Sequence, residues 1–320
     1  MILPEFTLHR PRSLPEALKL AQEFGRDSDV LAGGTDLLPN YRNRLNPKPH
    51  LISLQHLPEL KTADTFAIGT MVTLKELGQT PLSAAAFPIL PEVCKMIASP
   101  LIRTRATVGG NLLVNNRCVY FNQSPFWHRA VGLCTKAGGE GCQVVPGQKQ
   151  CYAAYCGDLA PVLIVLGATL LIQNYETTRQ VSLAEFYSGD GVQPHRLQPG
   201  EILTRIVIPQ TSTGLQVEYR KLRLRSSLDF PEAGVAVAAS FSGNTLSDLR
   251  IAVTGLATYP LAFAEITREF TAERVSEAMA QEIGNRIAKS LHPVKNLNFL
   301  PSYRKAMVTI FLRQIFKKWC

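Results

Sequence analysis

Five of the seven cysteines crowd between positions 118 and 156, spaced C-x15-C-x7-C-x8-C-x4-C through Cys118, Cys134, Cys142, Cys151 and Cys156. Thiolates are soft ligands for zinc and for iron–sulfur clusters, and in a reducing compartment such crowding points to metal or redox chemistry before disulfides. A structural zinc usually takes paired C-x2-4-C knuckles, which are absent, whereas iron–sulfur clusters tolerate wider spacing. Spacing alone favours a cluster and leaves zinc open. Cys94, in the helical context Val93-Cys94-Lys95-Met96, reads as a core thiol, and Cys320 as an inert tail residue.

A second kind of chemistry is written in paired glycines. Val30-Leu31-Ala32-Gly33-Gly34-Thr35-Asp36-Leu37 ends a strand-like run, and Thr107-Val108-Gly109-Gly110-Asn111-Leu112 follows the basic Arg103-Thr104-Arg105. Glycines permit positive φ and let backbone N–H groups approach a ligand, so each pair can form a nest for a pyrophosphate. Thr35 could add a hydroxyl contact, Asp36 could cap the following turn, and Asn111 could supply amide contacts or serve as a cap. Neither motif is G-x-G-x-x-G or a P-loop, so a nicotinamide site or a nucleotide hydrolase is not implied. Two nests together suit the two ends of an extended dinucleotide. The six histidines are scattered, and no Ser-His-Asp, paired-carboxylate or metal–histidine set stands out. Bond-making chemistry on a substrate is therefore expected elsewhere.

Alternating strands and helices must position these motifs. Ser13-Leu14-Pro15-Glu16 is a capping-box arrangement opening a helix that ends near Gly25, and Thr73-Leu74-Lys75-Glu76 is a second. Residues 29–32, 50–54 and 66–69 are short apolar runs of strand type. From Asn115 to Tyr155 periodicity disappears, and a structureless loop of that length calls for something to hold it together, such as cysteine–metal bonds. Core character resumes from Asp158 to Ile172. After Ile206-Val207-Ile208-Pro209 the polar stretch 210–214 reads as a linker. A second domain follows, with strands at 217–224, 235–241 and 249–256, a turn at Gly243-Asn244, and two helices marked by Val275, Met279, Ile283 and Ile287 and by Met307, Ile310, Phe311 and Ile315. In Tyr219-Arg220-Lys221-Leu222-Arg223, alternation puts Lys221, Arg223 and Arg225 on one strand face.

With 320 residues, 46% of them hydrophobic, the chain can bury sizeable cores. Its +9 charge is scattered rather than gathered into blocks, which argues against nucleic-acid binding and leaves a solvated surface or a docking face for an acidic redox partner. The longest apolar run, residues 159–172, is interrupted and falls short of the roughly 20 residues of a membrane helix. The start, Met1-Ile2-Leu3-Pro4-Glu5, does not resemble a signal peptide, so a cytoplasmic location is expected.

Together with Gly157-Asp158-Leu159-Ala160-Pro161-Val162-Leu163, the two glycine motifs resemble the FAD-binding medium subunits of the xanthine dehydrogenase and carbon monoxide dehydrogenase family of molybdenum hydroxylases, over nearly the whole chain. The resemblance implies an α+β fold, with a two-part FAD-binding domain over 1–209 and a smaller flavin-covering α+β domain over 215–320. It implies that FAD is held by Val30, Leu31, Ala32, Gly33, Gly34, Thr35, Asp36 and Leu37, and by Ala98, Thr107, Gly109, Gly110 and Asn111, with Asp158 and Lys221 near the flavin. A lysine beside the isoalloxazine could stabilise negative charge on the reduced ring.

Ordinary members run almost directly from T-V-G-G-N-L to D-L-A-P, so residues 115–156 form an insertion. Asn116-Arg117-Cys118-Val119-Tyr120-Phe121 and Cys151-Tyr152-Ala153-Ala154-Tyr155 are similar to the 4-hydroxybenzoyl-CoA reductase branch, whose insertion carries a 4Fe-4S cluster beside FAD. That resemblance implies Cys118, Cys134, Cys142 and Cys151 as ligands and leaves Cys156 over. It further implies partners: a large molybdopterin subunit, a small 2Fe-2S subunit and a ferredoxin-type donor, for reductive dehydroxylation of 4-hydroxybenzoyl-CoA to benzoyl-CoA. The alternatives are another molybdenum hydroxylase with outward electron flow and, from a different class, a basic binding protein with structural zinc.

Overall fold

The computed structural model describes residues 2–80, 85–226, 228–243 and 245–320. A parallel three-stranded sheet opens the chain, with β1 (Thr7–His9), β2 (Ser28–Leu31) and β3 (His50–Ser53) in the order β1-β3-β2. Helix Leu14–Phe24 connects β1 to β2. Its N-cap Ser13 Oγ accepts from Glu16 N, and Gly25, at φ 46°, ends it as the sequence predicts. The Thr73–Glu76 capping box also forms in full at helix Leu74–Leu77.

The next sheet is antiparallel: β4 (Ala67–Gly69), β5 (Thr169–Gln173), β6 (Thr178–Ser182) and β7 (Ile202–Val207), in the order β4-β7-β5-β6. Helix Leu159–Val165, buried at every position, lies in the core that this sheet shares with Tyr219, Ala236, Ala238 and Ala252 of the C-terminal sheet. Such an element reads as continuous hydrophobicity because it has no solvent face.

The C-terminal sheet, β8 (Gln216–Leu222), β9 (Ala233–Ser242), β10 (Thr245–Thr254) and β11 (Leu261–Ala262), has the order β11-β10-β9-β8. Helices Glu277–Ser290 and Pro301–Phe316 cover it and form its core with Ile283, Ile287, Val308 and Ile315. Val275 precedes the first of these helices and Ile310 is exposed on the second, so the helical spacing is right in period but generous at those two positions. Of the expected Gly243-Asn244 turn, Asn244 lies outside the described residues. The 210–214 stretch is not a free linker: it forms a short 3-10 turn in which Ser212 is buried and donates to Leu166 O. The polar composition that marks a linker there serves a packed hydrogen bond instead.

The 115–156 segment is mostly irregular, with one helix at Pro125–Val131. It is clamped to loops of the C-terminal part by backbone and amide bonds. Asn116 Nδ2 donates to Thr258 O at 2.7 Å, Tyr155 N to Ala257 O at 3.0 Å, and Val119 N to Asn296 O at 2.9 Å. Asn296 is in turn held by Arg304, fully buried, whose guanidinium also serves the carbonyls of Glu232, Val294 and Gly255. Replacing Arg304 by Leu strands several of these buried acceptors, each worth about 1–3 kcal/mol. We expect a stability loss of roughly 3 kcal/mol or more, read as a lower urea midpoint.

Candidate functional site

Beside the two glycine motifs opens a cavity of about 1010 Å³, at the large end of the roughly 300–1,000 Å³ range of ligand pockets. The motifs meet because Gly33 backs onto the second one's approach: a Cβ there would lie 1.8 Å from Arg105 O. Gly34 turns the chain at φ 73°. Gly109 packs on Thr70, where a Cβ would come within 2.6 Å, while at Gly110 a Cβ would meet Thr107 Oγ1 at 3.0 Å, the hydroxyl that accepts its N–H. Ala98 holds a positive φ of 48° on the cavity wall, pinned by Arg103 Nη1 donating to Ile97 O and Ala98 O.

Of the residues expected at the cofactor, all but Leu31 and Lys221 line this cavity. Asp36 does not cap helix Leu37–Arg42. Its carboxylate instead accepts from Asn115 N at 3.2 Å and pairs with Arg117 at 3.3 Å, tying the first glycine nest to the start of the insertion. Burial raises the Asp36 pKa, and Arg117 opposes the rise. Asn111 Oδ1 accepts from Leu159 N at 3.0 Å, capping the buried helix that Asp158 precedes without capping.

Asp158 reaches the cavity wall, whereas Lys221, which the resemblance places near the flavin, does not line it. The Lys221 ammonium lies 2.9 Å from Asp158 Oδ1, both side chains are almost fully buried, and Tyr219 OH donates to Asp158 at 3.0 Å. Burial raises the Asp158 pKa and Lys221 lowers it. Lys221 therefore neutralises Asp158 rather than facing the cavity. Asp158→Asn leaves a buried ammonium uncompensated, which costs about 3–5 kcal/mol. The fall in urea midpoint should be partly recovered by adding Lys221→Met.

Ser188 and residues 192–203 complete the wall, a stretch that the sequence marks only by its turn-forming residues. It brings His195, whose buried Nδ1 has no hydrogen-bond partner and whose ring stacks on Phe186. Burial, aided by Lys136, pushes the His195 pKa down to about 4, so the ring is neutral near pH 7. Phe230 from the C-terminal part also lines the cavity, with Arg117 held 4.6 Å over its ring. An orphaned polar atom, a glycine cradle and a cavity of this volume fit a dinucleotide such as FAD.

A second, small cavity is lined by Cys118, Cys134, Cys142 and Cys151, all buried, with Phe121 and Lys136. Ala153 N donates to Cys151 Sγ at 3.4 Å, and the Tyr120 and Phe121 N–H groups face the Cys118 thiol. Such N–H···S bonds favour the thiolate form that ligates metal. Burial nevertheless pushes Cys118 up to about 11 and Lys136 down to about 8. Among the described residues, no group of three His, Cys, Asp or Glu side chains is gathered so as to hold a metal ion. Cys156, fully buried, is not part of this cavity, and its Sγ lies 3.5 Å from Ala154 O. Cys94 is a core thiol of helix Ile89–Met96 and Cys320 is exposed.

The two cavities share a wall. A Cβ on Gly191 would lie 2.7 Å from Cys151 Sγ, and Lys136 Nζ donates to Gly191 O, while the next residues, Val192 to His195, face the large cavity. No described helix is long and apolar enough to cross a membrane.

Comparisons with known proteins agree with this arrangement. Residues 4–211 match the family described as the FAD-binding domain in molybdopterin dehydrogenase, and residues 203–319 the carbon monoxide dehydrogenase flavoprotein C-terminal domain. The chain is 28% identical over 311 residues to the carbon monoxide dehydrogenase medium chain of Hydrogenophaga pseudoflava, covering 96% of this chain and 94% of that one. It is 29% identical over 307 residues to the aldehyde oxidoreductase FAD-binding subunit PaoB of Escherichia coli, covering 92% and 93%. A solved structure of Cu,Mo-CO dehydrogenase superposes with a TM-score of 0.80 at 26% identity, covering 98% of this chain and 97% of that one. The glycine cradle and its cavity thus coincide with a fold matched from end to end, and the chain belongs to the family of FAD-binding medium subunits of molybdenum hydroxylases.

Proposed function

We propose that this chain is the FAD-carrying electron-transfer subunit of a multisubunit molybdenum hydroxylase and that its insertion holds a 4Fe-4S cluster through Cys118, Cys134, Cys142 and Cys151. The observation that carries the cluster is that these four buried cysteines, and neither Cys94 nor Cys156, line one cavity. Backbone N–H groups aimed at Cys118 and Cys151 suit thiolate ligands. A zinc ion draws its donors to one point, whereas a cluster spreads four thiolates over its corners. When bound, FAD exchanges electrons one or two at a time, which lets it join one-electron carriers to two-electron substrate chemistry. The chain's own residues hold and shield the cofactor: the glycine nests approach the pyrophosphate, and Phe230 and the 188–203 segment close the cavity.

The partners in this reading are a large molybdopterin subunit and a small 2Fe-2S subunit. Electrons flow outward, from an oxidised substrate through this chain to an acceptor. Support comes from the relatives, which are named for carbon monoxide dehydrogenation, aldehyde oxidoreduction and nicotine 6-hydroxylation. The cysteine insertion favours a second reading, reductive dehydroxylation of 4-hydroxybenzoyl-CoA with a ferredoxin-type donor, because a low-potential one-electron site suits inward flow. The proposed domain division is 1–209 for FAD binding, 115–156 for the cluster insertion and 215–320 for the flavin-covering part.

Anaerobically purified protein should be yellow-brown and contain FAD, iron and acid-labile sulfide. Colourless protein with a single zinc would sink the proposal. Electron direction is read by supplying the assembled complex with reduced ferredoxin and 4-hydroxybenzoyl-CoA: benzoyl-CoA formation selects the second reading, and its absence alongside aldehyde or heterocycle oxidation selects the first.

A further inference from the structure

Lys136 stands out in the cysteine cavity because no ligand role accounts for it. It is 3% exposed, and among the described residues no carboxylate forms an ion pair with it. Its Nζ donates to Gly191 O and lies 5.2 Å from the centroid of the Phe121 ring. Two acidic groups lie near it and both accept from other donors: Asp190 from Val192 N and Gln193 N, and Asp36 from Asn115 N and Arg117. The other groups acting on Lys136 are Cys118, Cys134 and Cys151.

An ammonium taken out of water costs several kcal/mol unless a negative charge meets it. Four protonated thiols provide none. Four thiolates around an iron–sulfur core provide net negative charge, and a one-electron reduction adds one more unit of it. From this juxtaposition we infer that Lys136 is the counter-charge of an anionic iron–sulfur occupant of the cavity, and a positioning residue that raises the occupant's reduction potential. The inference rests on the cluster reading above. A cation in a wall of low dielectric stabilises the more negative, reduced form by more than the oxidised form. Its bond to Gly191 O fixes that charge on the wall shared with the large cavity, where the missing Cβ lets Gly191 pack against Cys151.

The test uses the full chain purified anaerobically as wild type, Lys136→Met and Lys136→Arg, with iron and sulfide counted and the midpoint potential followed by EPR. Lys136→Met with full iron should lower the midpoint by at least a tenfold change in the ratio of reduced to oxidised cluster, about 59 mV for a one-electron couple. Lys136→Arg, which keeps the charge, should stay near wild type. Iron lost from Lys136→Met but kept by Lys136→Arg also supports the inference, since charge alone separates the two variants. Unchanged midpoints in both variants, or equal iron loss from both, would overturn it. Wild-type protein without iron fails the cluster reading itself, and that result is distinguishable because it needs no variant.

Discussion

Changing Cys118, Cys134, Cys142 or Cys151 singly to serine should strip most of the iron from the purified chain, while Cys156→Ser keeps it. The expectation follows from placement, because the first four line one cavity and Cys156 faces Ala154 O in the core. Serine nearly preserves the volume of cysteine, so packing changes little and the loss reports the missing thiolate. Metal–thiolate bonds supply on the order of 10 kcal/mol to small metal sites, far more than the apolar contacts available here. The buried cluster around Cys118, Cys134 and Cys151 adds Leu45, Phe121 and Ala153, with Tyr120, Ala137 and Val144 packed against it. Losing iron should therefore loosen residues 115–156 as well, seen as new proteolytic cleavage confined to that stretch while FAD stays bound. Iron retained without Cys151 but lost without Cys156 would overturn the ligand set.

Gly33→Ala should reduce FAD content at least tenfold, equivalent to about 1.4 kcal/mol of binding, and lower thermal stability too. The added methyl would sit 1.8 Å from Arg105 O, a backbone atom that cannot rotate away. The first nest would have to part from the 105–106 peptide, pulling the two motifs out of register with each other. Overpacking of this kind costs about 1–3 kcal/mol and occasionally more. Gly110→Ala is the milder comparison: its Cβ would meet a side-chain atom, Thr107 Oγ1 at 3.0 Å, which has to give by only a few tenths of an ångström, so stability should fall less than in Gly33→Ala. Equal FAD content in Gly33→Ala and wild type, measured by flavin absorbance per chain, would show that the first nest does not hold the cofactor.

Local rules read this chain well where the partner of a residue is near in sequence. Ser13 and Thr73 cap their helices because a capping box is completed within three residues. The buried helix Leu159–Val165 and strands β8, β9 and β10 of the last sheet are legible from apolar pattern for the same reason, whereas the two-residue β11 is not. Where the partner is distant, the same residue types took other roles. Asp36 would cap its own helix by local preference, yet Arg117 and Asn115 claim its carboxylate. Lys221 sits on the face that alternation assigns, but Asp158, 63 residues away, meets it there.

The sequence by itself marked the two stretches of interest: glycine pairs suited to a close backbone approach, and an insertion whose cysteines have no helical or strand period to serve. It also carried the family resemblance, because motif order survives along the chain. Only the tertiary structure decided which cysteine stands apart and that Gly33 rests on Arg105. It alone placed the segment around Gly191 between the two cavities, with Lys136 held on the same wall. The reason is physical. A motif states what one stretch of backbone can do, whereas burial, counter-charge and steric contact depend on which distant stretch packs against it.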